Sequence, residues 1–278
     1  MIDLRRHLAP ISADAWKAID DEAARVLKLN LAARKLVDFQ GPLGWQASAV
    51  NVGRVARIAG PMKGVDAVLR KVQPLAELRV SFDLVRSEMD SVDRGAADPE
   101  LAPVIEAAQA MAHAEDRVVF DGYDAADIRG IKEASPHQHL RIADDYAAYP
   151  ATVSEALEKL RQAGVDGPYA IALGPRCYAG LMRAMAPGGY PIYEHVRQLL
   201  EDRVVWAPAV DGAVVLSTVG GDYELVVGQD VSIGYESHTE THVRLYLVES
   251  MTFRVLRPEA AVVLTYTTVE RPPAKRNA

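Results

Sequence analysis

One cysteine, four phenylalanines and three tryptophans stand in a chain of 278 residues. The lone Cys177 excludes an internal disulfide, and with it a small secreted fold held together by cross-links. No apolar run approaches the ~18 residues of a membrane span. The opening segment MIDLRRHLAPIS lacks the apolar core of a signal peptide. The expectation is a cytoplasmic protein with no membrane partner. An excess of positive charge is missing too: 31 Lys and Arg face 38 Asp and Glu, a formal net charge of −7. With basic residues dispersed and not interleaved with aromatics, a nucleic-acid partner is not expected. No glycine-rich dinucleotide or phosphate loop opens a helix. No G-x-S-x-G elbow and no H-E-x-x-H zinc helix occurs. No cofactor and no metal are therefore expected.

What is present is an ordinary globular balance, 49% apolar and 25% charged. The spacing of Trp16, Ile19, Ala23, Val26 and Leu27 predicts an amphipathic helix over 12–34, with Ser12 as N-cap and Asp14 in the first turn. The turn signal Gly60-Pro61-Met62-Lys63-Gly64 predicts a long hairpin with arms at 47–58 and 65–80. A two-stranded ribbon is marginal alone in water, so this hairpin must lie on something else. Leu101, Val104, Ile105, Ala108, Met111, Ala112 and Val119 mark a helix over 99–120. Residues 130–149 read as a loop. Helices follow around 153–163, 175–185 and 192–200, with a buried strand at 169–173 between the first two and the Pro187-Gly188-Gly189 loop between the last two. Strands are predicted at 204–206, 214–217, 223–227, 243–248, 253–256 and 261–266, and a disordered tail over 267–278. Helices early and strands late indicate an α+β class.

Residues with chemical potential are few. His137 with His139, and His238 with His242, could begin a metal site, but no third ligand lies near either pair, and solvated loop histidines are commoner. Cys177 near a helix start could be activated; without a neighbouring histidine, a buried structural role is the better reading. The carboxylates at Glu88, Asp90 and Asp93, and at Glu115 and Asp116, could do acid–base work, or form a solvated or subunit-facing edge. Gly220-Gly221-Asp222 reads as hairpin turn chemistry.

Several segments, taken in order, resemble the encapsulins, shell proteins of bacterial nanocompartments that share a family with linocin-type bacteriocins. They are Leu4-x-x-x-Leu8-Ala9-Pro10 with Trp16, Ile19 and Glu22-Ala23, then Ala33-Arg34-Lys35-x-Val37-Asp38, Gly41-Pro42, Leu75-x-Glu77-Leu78-Arg79, Asp93-Arg94-Gly95 and Glu115-Asp116. The run continues with Gly164 to Tyr169, Gly189-Tyr190-Pro191, Gly220 to Tyr223, Gly228 to Tyr235, Val243 to Tyr246 and Glu249 to Phe253.

The resemblance implies an α+β phage major-capsid fold of the Hong Kong 97 type and a sixty-subunit icosahedral shell made of copies of the chain. It implies a lumen-facing helix and start of the peripheral domain at 1–45, an extended loop at 46–80, a peripheral domain with a spine helix at 81–130, an axial domain at 131–222 and peripheral return strands at 223–266. Gly60, Pro61, Met62, Lys63 and Gly64 would form the tip of the intersubunit loop. Ala184, Met185, Ala186, Pro187, Gly188, Gly189 and Tyr190 would line a five-fold pore. A cargo enzyme, a dye-decolourising peroxidase or ferritin-like protein serving oxidative-stress defence or iron storage, would dock through a short C-terminal peptide on Leu27, Leu31, Arg34, Asp38, Asp230, Val231, Ser232, Ile233 and Tyr235. Leu27, Leu31 and Ile233 would be apolar contacts, with Arg34 and Asp38 as polar anchors; the plainer reading of those last two is a local ion pair. Some encapsulins bind flavin through a tryptophan before the Asp-Arg-Gly segment. Ser87 stands there, so flavin is not carried over. Alternative readings are a bacteriocin or protease-like enzyme, and a phage major capsid protein.

Overall fold

A computed structural model describes residues 4–143 and 145–266. The tail predicted over 267–278 lies outside the described residues. Helix α1 (Ala13–Asn30) starts where Ser12 Oγ accepts the Ala15 N–H at 3.1 Å, and it buries Trp16, Ile19, Ala23 and Val26. It stops four residues earlier than its apolar pattern suggested. The Asp116 carboxylate accepts the N–H groups of Ala32 and Ala33 at 3.0 and 2.9 Å, which turns the chain away from the helix axis. The edge strand β1 (Asp38–Gln40) follows.

Strands β2 (Ala49–Ile58) and β3 (Ala67–Pro74) pair only with each other and make the predicted hairpin. Its second arm is shorter than expected. Pro74 has no N–H to donate, and β4 (Ala76–Val85) leaves the ribbon to pair with a distant strand. Helix α2 (Arg86–Asp93), not anticipated from the sequence, and the long α3 (Ala102–Phe120) come next. The short strands β5 (Gly122–Tyr123) and β6 (Ile128–Arg129) follow α3, and the segment 130–149 read as a loop holds two short ordered pieces, α4 (Ile131–Ala134) and β7 (Leu140–Arg141).

The rest of the chain comprises α5 (Tyr149–Gln162), β8 (Tyr169–Leu173), α6 (Pro175–Arg183), α7 (Ile192–Leu199), β9 (Val204–Trp206), β10 (Ala213–Ser217), β11 (Tyr223–Val227), β12 (Ser232–His238), β13 (His242–Val255) and β14 (Ala261–Thr265). One sheet runs β1-β11-β13-β12, with β4 on β13; the other runs β7-β14-β10-β8-β9. The first sheet carries α1 and α3, and its core joins Ile19, Val26, Met111, Leu84 and Leu245. The second carries α5 and buries Ile171, Leu173, Leu160 and Val215.

Three differences from the sequence reading have clear causes. The predicted strands 243–248 and 253–256 are one strand, β13, because the polar Glu249 and Thr252 between them are buried and not looped out. Strand β12 escaped notice because Gly234 and a polar end interrupt its pattern. Gly234 lets the Tyr246 ring lie across it, where a Cβ would collide. Strand β14 pairs with β10 and β7, so the segment 223–266 is divided between the two sheets.

Candidate functional site

A groove of about 360 Å³ opens between the C-terminal half of α1 and the start of β12. Ala24, Leu27, Lys28, Leu31, Arg34, Lys35, Asp230 and Val231 line it. Five of the residues expected to act together therefore do meet: Leu27, Leu31, Arg34, Asp230 and Val231. Helical spacing puts Leu27 and Leu31 on one stripe, four residues apart. Ile233 and Tyr235 sit beneath them, buried in the core of the first sheet. Ser232 donates its hydroxyl to the Asp230 carbonyl at 2.7 Å, and the Asp230 carboxylate accepts the Val231 N–H at 2.8 Å. These two local bonds fix the groove's far wall.

Arg34 is not paired with Asp38. Its Nε and Nη2 donate to Glu115 at 2.9 and 2.6 Å, Nη2 also donates to Glu249 at 2.6 Å, and Nη1 donates to Asp230 at 2.8 Å. The Arg34 side chain is 19% exposed, and those of Glu115 and Glu249 are 0% exposed. A guanidinium presents donors in a planar fork, which lets one side chain serve several carboxylates. Burial opposes the charge on Arg34, but Glu115, Glu249 and Asp230 outweigh burial and hold its pKa above the ordinary value. Burial, reinforced by Glu115, pushes Glu249 well above the usual carboxylate range. Burial also lifts Asp116 to about 7, against the pull of the two N–H groups that it accepts.

Asp38 faces elsewhere. Its carboxylate accepts the Gly221 N–H at 2.5 Å. It borders a smaller polar pocket of about 200 Å³, shared with Arg34, Lys35, Arg203 and Asp222. Sequence reasoning missed Ala24, Lys28 and Lys35, and it missed the role of Glu115 and Glu249 as the acids behind Arg34. The i, i+4 spacing of Ala24 and Lys28, and of Leu27 and Leu31, was the available signal for the first group. No sequence signal links Arg34 to Glu249, 215 positions away.

The loop at 184–190 is tied at its base. The Ala186 N–H donates to the Tyr190 carbonyl at 2.8 Å, and Met185 bridges Pro191. Gly188 and Gly189 adopt φ of +96° and +82°, which glycine takes without strain. Met185, Pro187 and Tyr190 are exposed, as are both glycines. Tyr190 stacks on His195 at 4.6 Å and accepts from Gln198 Nε2 at 3.0 Å. At the hairpin tip, Val65 N–H donates to the Met62 carbonyl at 3.2 Å, and Met62 is 69% exposed.

The histidine pairs do not converge on a ligand. His137 Nε2 lies 2.9 Å from the Glu259 carbonyl, His238 Nδ1 bonds the Tyr235 hydroxyl, and His242 Nδ1 lies 2.9 Å from Thr241 Oγ1. Among the described residues, no three His, Cys, Asp or Glu side chains group as metal ligands, and no helix is long and apolar enough to cross a membrane. Cys177 is buried, and burial raises its pKa, so the helix start does not activate it.

The family model described as "Encapsulating protein for peroxidase" matches residues 1–252. The type 1 encapsulin shell protein of Rhodospirillum rubrum is 54% identical over 270 residues, 95% of this chain and 96% of that one. The type 1 encapsulin shell protein of Mycobacterium tuberculosis is 46% identical over 266 residues, 96% of this chain and 100% of that one. Among solved structures, a virus-like particle from Pyrococcus furiosus covers 91% of this chain and 100% of its own at a TM-score of 0.62 and 16% identity. A Gordonia phage Cozz structure covers 85% and 86% at a TM-score of 0.56 and 14% identity. These two speak for the fold, the capsid fold of the Hong Kong 97 type. Matched by the family model and by relatives over most of its length, the chain belongs to the encapsulin shell proteins and assembles with copies of itself into a capsid-like particle.

Proposed function

We propose that the shell formed by this chain encloses a guest enzyme in the cytoplasm, holding it by a short C-terminal peptide in the groove between α1 and β12. The guest is a peroxidase or a ferritin-like protein, and small solutes reach it through apertures lined by residues 184–190. The observation that carries this reading is the groove's chemistry. Leu27, Leu31 and Val231 offer an apolar floor, and Asp230, Lys28 and Lys35 offer a polar rim. A peptide in extended form needs apolar pockets for affinity and a few polar groups for direction. The rigid Arg34 cluster keeps the floor in shape without spending its own charge on the guest. The family model's description, which names encapsulation of a peroxidase, supports the guest's class.

The test compares protein co-purified with wild-type shells and with Leu27→Asp shells, with Leu29→Asp as control. Leu29 is exposed on the same helix but does not line the groove. Removing one leucine contact of ~1.5–3 kcal/mol weakens binding roughly tenfold or more. The expected result is intact particles of both variants, with guest lost from Leu27→Asp alone. Equal guest in all three would overturn the groove's role.

A further inference from the structure

Away from the groove, four side chains converge between the helices of the second sheet. Cys177 in α6 is fully buried, and its Sγ lies 3.0 Å from the Tyr266 hydroxyl just beyond β14. The Tyr266 hydroxyl lies 2.7 Å from the Tyr146 hydroxyl. Tyr146 stacks on Tyr149 at 6.0 Å. Tyr149 is 1% exposed, and its hydroxyl, near the Cys177 thiol, makes no hydrogen bond among the described residues. The cluster reaches solvent at Tyr266 and Tyr146, both half-buried. Tyr266 lies under the Arg176 guanidinium, 3.7 Å from its ring, and the Tyr146 hydroxyl also donates to the Arg176 carbonyl at 3.2 Å, while only Tyr266 touches the thiol.

A buried phenol hydroxyl without a hydrogen bond is costly to keep, and an apolar side chain would fill the same space. Burial raises the pKa of Cys177, Tyr149 and Tyr266, so all three keep their hydrogen atoms. A thiol held neutral and out of water is a poor nucleophile toward peroxide. It remains a hydrogen-atom donor, because S–H and phenolic O–H bonds are of similar strength. An unbroken contact from solvent to thiol suits that second chemistry and not the first.

We infer that Tyr266, Cys177, Tyr146 and Tyr149 form a hydrogen-atom relay through which a one-electron oxidant at the surface oxidises the buried thiol. The oxidant takes one electron from Tyr266 and is itself reduced by one, and the phenolic proton leaves to water. The Tyr266 phenoxyl then takes a hydrogen atom from Cys177: the S–H bond breaks, the O–H bond re-forms, and a thiyl radical remains. The same exchange across the Tyr146–Tyr266 contact spreads the radical over the cluster. In air the thiyl radical adds dioxygen, forming an S–O bond and removing the free thiol.

The experiment treats assembled shells of the full chain with hexachloroiridate(IV) in air, quenches them, unfolds them and counts the remaining Cys177 thiol with a maleimide. Wild-type shells lose thiol with dose, and Tyr266→Phe shells lose it several-fold more slowly. Hydrogen peroxide at equal oxidising equivalents leaves the thiol intact in both. Equal losses in wild type and Tyr266→Phe, or loss under peroxide as fast as under the one-electron oxidant, would overturn the relay. Should Tyr266→Phe fail to assemble, Cys177→Ala gives an independent reading by freeze-quench electron paramagnetic resonance. Its tyrosyl signal should outlive that of the wild type, and equal lifetimes would count against the relay.

Discussion

At the scale of single residues, Arg34 governs the region where four segments meet. It joins the turn after α1 to Glu115 of α3, Glu249 of β13 and Asp230 before β12. Removing one member of a buried ionic cluster costs about 3–5 kcal/mol, here because Glu115 and Glu249 stay fully buried without their shared donor. Arg34→Met is therefore expected to lower shell stability and yield, and not guest loading alone. Thermal unfolding of purified particles measures it, and an unchanged transition would show the cluster to be dispensable. Asp116 gives a pH dependence. Its carboxyl is raised to about 7 in the fold against an ordinary 3.8. A raised acid favours the folded chain when protonated, so its contribution is complete below about pH 4 and is lost as pH rises through about 7. Asp116→Asn removes this titration and keeps an oxygen acceptor for one of the two N–H groups. The variant should gain stability relative to wild type between pH 5 and pH 8, by up to about 4 kcal/mol for a shift of about three units. Unfolding midpoints that run parallel across that range would refute the assignment.

At the scale of elements, the hairpin of β2 and β3 shows what a sequence reveals and what it hides. Gly60 to Gly64 between two mixed arms announced a ribbon, and the ribbon is there. Its turn is tight at Gly60, where an added Cβ would collide with the Val65 carbonyl, and open at Gly64, where φ is +85°. The far end was misjudged: Pro74 is a local stop that the apolar pattern runs across, and the pairing of β4 with the remote β13 is what takes the chain out of the ribbon. The same rule runs through the chain. Helices α1 and α3 were legible because their apolar stripes repeat within a few turns. β12 and the middle of β13 were not, because Gly234 and Glu249 are chosen by the remote Tyr246 and Arg34. The groove was legible only in part for that reason: Leu27 and Leu31 are periodic, whereas Asp38 lay close in sequence to Arg34 and turned out to bind Gly221. Deleting residues 60–64 should leave both sheets folded, since the ribbon pairs with neither. Circular dichroism of the variant is expected to stay native-like while particles disappear from electron micrographs. Normal particles would show that the ribbon is not an intersubunit element.

At the scale of the whole molecule, two properties pull assembly in opposite directions. Val55, Ile58, Met62, Val68, Leu69 and Val72 on one ribbon are all exposed in the single chain. Apolar surface of that kind favours burial against a neighbour by roughly 25 cal/mol per Å². The net charge of −7 on every copy opposes it. Repulsion between like-charged subunits is screened within about 10 Å at 0.1 M salt and about 3 Å at 1 M, whereas apolar burial is not weakened by salt. If burial drives closure, salt should help it. If intersubunit ion pairs drive it, salt should undo it. Reassembly of dissociated subunits, followed by light scattering, is expected to be faster and more complete at 1 M sodium chloride than at 0.01 M. Replacing Val68, Leu69 and Val72 together by serine should abolish that response by removing the surface that salt leaves intact. Particles that fall apart as salt rises would assign closure to ion pairs and leave the exposed ribbon without its role.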